Sequence, residues 1–211
     1  MTADALSDLV LALVCAGIAA RCLGGARSRP GIGIAAVLIG LAAVLGVLRF
    51  STWAPFNEAV RGAHQFASLV AAVGGFPLLA FSLHQPDSPL ATRLAGAWWL
   101  VFVVAGAGVA AVVLGVKVWA RVAPLLSCVW IGHAVFFKRA GAHRVVGGAG
   151  LACLLAAFAA TLLMAAPEQQ LLGLFTRVQL LHYLMAVALW LLARAPRADA
   201  AAVAALPVPP R

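Results

Sequence analysis

The chain has 211 residues, 64% of them hydrophobic and only 10% charged, with a mean hydropathy of +1.05. These values exclude a soluble globular domain and point to a polytopic membrane protein. The formal charge of +9 needs no nucleic acid to explain it, because anionic headgroups of the inner leaflet are a sufficient partner.

Seven apolar runs follow in order, at residues 9–20, 30–48, 65–83, 94–116, 122–137, 145–167 and 178–193. At about 1.5 Å of rise per residue, most reach the roughly 30 Å of a hydrocarbon core. Terminal Arg and Lys can snorkel where a run is short. Backbone polar groups in lipid must be satisfied within a segment, and no period-two alternation appears, so helices are expected. The expected fold is all-α, a seven-transmembrane helix bundle over residues 1–194.

The first run has no basic residue ahead of it but carries Asp4 and Asp8 there, so it reads as a membrane helix rather than a signal peptide. With the N-terminus outside, Arg21, Arg27, Arg29, Arg93, Lys138, Arg139, Arg144, Arg194, Arg197 and Arg211 fall on the cytoplasmic side. Arg49, Arg61, Lys117, Arg121 and Arg177 fall outside. That two-to-one bias sets the expected orientation, with the C-terminus cytoplasmic and a bacterial inner membrane as the expected location. Residues 195–211, rich in Ala and Pro, are expected to form a disordered cytoplasmic tail. Cys15, Cys22, Cys128 and Cys153 form neither a disulfide framework nor a CxxC knuckle.

In the third run, Gly74, Gly75 and Pro77 predict a kink. Gly96, Ala105, Gly106, Gly108 and Gly115 thin the fourth run. In the sixth, Gly148, Ala152, Ala156 and Ala160 repeat every four residues, and such small-residue faces permit close backbone approach. The fourth and sixth helices are therefore the expected centre of the bundle.

Polar residues at membrane depth are costly unless paired or lining water. Here Arg49, Glu58, Arg61, His64, Gln65, Arg121, Arg177, Gln179, His182 and Tyr183 gather toward the outer side. Glu58, Arg61 and Gln65 share a face of the third helix at spacings of three and four, with Ser68 below. Gln179, His182 and Tyr183 share a face of the seventh. If the two faces meet, Glu58, Arg61 and His182 are the candidate catalytic groups. Arg49, His64, Gln65, Arg177, Gln179 and Tyr183 are then the candidate ligand-binding groups. His64 and His182 are also the candidate metal or haem ligands. Against this stands a simpler reading, in which Arg121 and Arg177 are interfacial anchors and His182 donates to a neighbouring helix carbonyl.

The placement of polar ends resembles the seven-helix superfamily of alkaline ceramidases and adiponectin-receptor-like proteins. The resemblance rests on Arg49, on Glu58 with His64, and on His182 within Val-Gln-Leu-Leu-His-Tyr. It implies an N-terminus-out topology and a metal site drawn from the second, third and seventh helices. This chain departs from that pattern, with Arg49 where a histidine is expected and Ala186 four residues after His182. The resemblance then implies a degenerate site that binds an anionic or amide headgroup without hydrolysing it.

Three functions stay open. The first is a lipid amide or ester hydrolase-like protein, in which Glu58 would act as base or ligand and Arg61 would stabilise an oxyanion. The second is a b-type haem protein using His64 and His182. The third is a non-catalytic subunit of a larger membrane complex, or a lipid-binding protein. Zinc and haem are the cofactors considered, and the absence of any cofactor is the expected case. Membrane lipids are the expected partners.

Overall fold

A computed structural model describes residues 2–24, 28–51, 57–164, 170–171 and 174–194. The expected tail at 195–211 lies outside them, as do Arg27 and Glu168. The described architecture is helical: α1 (Ala3–Leu23), α2 (Pro30–Phe50), α3 (Asn57–Val70), a π-helical turn (Ala71–Gly75), α4 (Phe76–His84), α5 (Pro89–Thr92), α6 (Leu94–Val113), α7 (Trp119–Phe137), α8 (Gly141–Leu163) and α9 (Arg177–Arg194). Between α8 and α9, β1 (Gln170–Leu171) and β2 (Phe175–Thr176) pair antiparallel as a small ribbon. No period-two alternation marks this ribbon in the sequence.

Six of the described helices are long and apolar enough to cross a membrane: α1, α2, the continuous Glu58–His84 helix, α6, α7 and α8. They make the chain a membrane-embedded helical protein. The 18-residue α9 carries Arg177, Gln179, His182 and Arg194 and is not among the six.

Local chemistry sets the helix ends. The Thr2 hydroxyl accepts from the Ala5 amide and caps α1, with Asp4 in the first turn where the helix dipole favours an anion. Pro30 opens α2 at a position that has no amide to lose. Along the third span, Pro77 has no N–H for the Val73 carbonyl, and the turn ahead of it widens so that the Phe76 amide reaches Ala71. This π turn stands at the position of the expected kink.

Glycines of α2 bring it against α1. Side chains added at Gly33, Gly40 and Gly46 would approach Leu23, Cys15 and Asp8 to 2.7, 2.9 and 2.5 Å. In lipid such close approach supplies the dispersion contacts that hold helices together.

The centre of the bundle is not where glycine spacing predicts. α2 and the α3–π–α4 helix are the most buried spans, and α6 and α8 the least. On α6 only one stripe is packed, where Gly108 meets Val73 and Ala105 meets Gly74. On α8 the seam Gly148, Ala152, Ala156 and Ala160 is not the packed face, since Ala152 and Ala156 are exposed. Gly147, Gly150, Leu154 and Ala157 are buried instead, with Gly147 against Val135 and Gly150 against Leu192. A strict four-residue repeat drifts around a 3.6-residue helix, so it marks no single contact line.

α9 is clamped at both ends by the α1–α2 hairpin. At its start, Asp4 Oδ1 accepts from Gln179 Nε2 at 2.8 Å and from the Thr176 hydroxyl at 3.0 Å. At its end, the Ala193 carbonyl accepts from Arg29 and from Arg21. Cations at a helix C-terminus satisfy carbonyls that lack an intrahelical partner.

Candidate functional site

A chamber of about 580 Å³ lies in the half of the bundle that holds the start of α1, lined by α1, α2, α3, the π turn, the start of α4, α7, α8 and α9. Its walls are mostly apolar, including Leu11, Ile39, Phe76, Phe158, Leu181 and Met185. Its polar groups are Asp8, His64, Ser68, Arg121, Thr161, Arg177 and His182.

The centre of the site is Asp8, whose side chain is 1% exposed. Its Oδ1 stands 3.2 Å from His182 Nδ1. The Ser7 hydroxyl is 3.3 Å from the same nitrogen and donates to the Asp4 carbonyl at 2.7 Å. Ser7 has one proton, and that bond uses it, so toward His182 its oxygen can only accept. An ionised Asp8 likewise only accepts. With Asp8 ionised and His182 neutral, both partners require the proton on Nδ1, and Nε2 is then a lone-pair nitrogen with no protein partner among the described residues. Asp8 Oδ2 and His64 Nδ1 are buried and also lack a hydrogen-bond partner. Buried polar atoms in folded proteins are nearly always satisfied, and unsatisfied ones cost about 1–3 kcal/mol each.

Several residues singled out in the sequence do not reach this chamber. Glu58 and Arg61 pair with each other at 2.7 Å, with side chains 81% and 52% exposed, and neither lines it. Gln65 is exposed as well. The three share a face of α3, as their spacing implies, but that face turns outward. Gln179 is buried and engaged with Asp4, serving the α1–α9 junction. Tyr183 packs its ring against Phe175 at 6.0 Å. Arg49 lies over the Phe50 ring at 4.9 Å, and that ring meets His64 edge-on at 5.9 Å.

His64, Arg177 and His182 do line one chamber, and Arg177 also donates to the Met164 carbonyl at 3.1 Å. Arg121 lines the chamber too. Sequence reasoning misses Asp8, which stands just ahead of the first apolar run at residues 9–20. Its position one helical turn after Asp4 in an otherwise apolar helix was the available signal.

The donor set does not suit the zinc ion that the ceramidase-like resemblance implies. Among the described residues, no three His, Cys, Asp or Glu side chains gather closely enough to hold a metal. His182 also has its Nδ1 committed to Asp8 and Ser7. A separate polar pair lies toward the far end of the bundle, where His84 Nε2 and His133 Nδ1 are 3.1 Å apart and Lys138 approaches His84. No family model, curated protein or solved structure matches this chain. The resemblance therefore rests on the placement of polar residues alone.

Proposed function

We propose that the protein binds an amphiphile in this chamber, with the N-terminal half of the bundle on the outer side and α9 completing a seventh crossing. The observation that carries the reading is a largely apolar chamber into which Asp8, His64, Arg121, Arg177 and His182 are gathered from α1, α3, α7 and α9. His182 Nε2 calls for a hydroxyl or amide hydrogen on the ligand. Arg121 and Arg177 call for a carboxylate or phosphate. The apolar wall takes the tail, as in most small-molecule sites.

Native mass spectrometry of the detergent-purified protein tests this. The wild type is expected to release from detergent with a bound amphiphile, and Met185→Trp, which fills the chamber, without one. Bare wild-type protein, or the same adduct on both proteins, would refute the reading.

The tautomer of His182 favours a second reading, in which Nε2 acts as a general base on a lipid ester or amide. Release of fatty acid from an ester-linked or amide-linked lipid probe by the wild type, absent in His182→Gln, would establish it.

A further inference from the structure

We infer that the chamber opens sideways into the bilayer, between the N-terminal half of α7 and the C-terminal half of α8, and so draws its ligand from the membrane. This deepens the binding reading above and rests on it.

The two helices are joined by residues 138–140 and pack together near that joint. A side chain added at Gly147 would meet Val135 at 2.9 Å, and one at Gly132 would meet Leu151 at 3.3 Å. Ile131, Val135 and Leu154 are fully buried there. Toward the other end the picture changes. Leu125 of α7 and Leu162 of α8 both line the chamber, yet they are 38% and 62% exposed. A residue that faces both a cavity and the outer surface marks a break in the wall between them.

The chain at this point favours such a break. Pro124 lies inside α7 and has no amide for the Ala120 carbonyl, and the Ser127 hydroxyl donates back to the Ala123 carbonyl at 2.8 Å. Both features bend helices. Arg121 is exposed one turn before Leu125, and Arg177 lines the chamber from α9. Two guanidiniums beside an apolar cleft fit an amphiphile with an acidic head lying at the interface and its tail in the chamber.

The test uses two photoprobes on the full-length protein in phosphatidylcholine nanodiscs. One is a diazirine-bearing palmitic acid dissolved in the bilayer, and the other a diazirine-bearing butyric acid added from water. Labelling of the α9 peptide spanning Leu181 and Met185 is read by mass spectrometry. The variants are Leu162→Trp alone and the double variant Leu125→Trp with Leu162→Trp, both at exposed positions that leave the core untouched.

The double variant should slow labelling by the long probe about tenfold relative to labelling by the short one, a barrier difference of about 1.4 kcal/mol. Leu162→Trp alone should lie between. Unchanged long-probe labelling in the double variant would overturn the lateral opening and leave the binding reading standing. Loss of both probes would overturn it as well, because the tryptophans would then be filling the chamber itself. Absence of α9 labelling in the wild type by either probe would overturn both readings.

Discussion

Gly46 of α2 and Asp8 of α1 occupy one notch: a methyl group at Gly46 would lie 2.5 Å from the carboxyl carbon and from both oxygens of Asp8. The carboxyl group is sheltered where it is because the facing helix has given up its side chain there. Gly46→Ala is therefore expected to lower stability by about 1–3 kcal/mol, the range for overpacking, seen as a lower melting temperature in detergent. In an Asp8→Ala background the same change should do much less, with an interaction energy of about 0.5–3 kcal/mol. Equal effects in both backgrounds would show that the two residues do not share the notch.

Asp8 and Glu58 separate the buried acid from the exposed one. Asp8→Asn keeps the shape but removes the charge that holds the His182 Nδ1 proton, so His182 is oriented less firmly and retention of the bound amphiphile should weaken by about 1.5–3 kcal/mol, the worth of a hydrogen bond to a charged group. Native mass spectrometry would report this as loss of the adduct. Glu58→Gln should leave the adduct in place, and a double-mutant cycle with Arg61→Gln should give no more than about 0.5 kcal/mol. An adduct that depended on Glu58 instead would relocate the site to the outward face of α3.

On α8, two adjacent alanines should respond in opposite ways. Ala157 is 0% exposed and Ala156 faces outward. Ala157→Leu is expected to destabilise by about 1–3 kcal/mol, with Ala156→Leu near neutral by thermal melting. The reverse order would restore the four-residue seam as the packed face.

The junction between α1 and α9 offers a fourth test. Gln179→Ala leaves Asp4 Oδ1 with the Thr176 hydroxyl alone, and should lower stability by about 1–3 kcal/mol. Hydrogen exchange should rise in the first turns of α9 before the last, because Arg21 and Arg29 still hold Ala193. Uniform acceleration along α9 would mean that the two clamps act as one.

The membrane class and most of the spans were legible because lipid imposes a long, uncharged run on every crossing helix. The site was legible only where a polar residue stands deep in such a run. His182 is recognisable that way. Asp8 is not, because its burial depends on an absent side chain at Gly46, thirty-eight positions away, and no local pattern reports a distant glycine. Glu58, Arg61 and Gln65 share a helical face as their spacing says, but spacing does not say which way that face points. α9 has the length of a span, yet its polar residues keep it below the hydropathy of the six apolar helices.

The π turn at Ala71–Gly75 acts as a phase corrector. His64, Ser68, Ala72 and Phe76 all line the chamber, spaced four residues apart. In an unbroken α-helix each such step overshoots one turn by about 40°, and over three steps the residues would swing about 120° off line. A turn closed from Phe76 to Ala71 winds more slowly and takes up part of that rotation. Pro77 enforces the slower winding by withholding the amide that an α turn needs. The same residues wound as a plain α-helix would carry the imidazole of His64 up to about 120° off the line of Phe76 and so off the chamber wall.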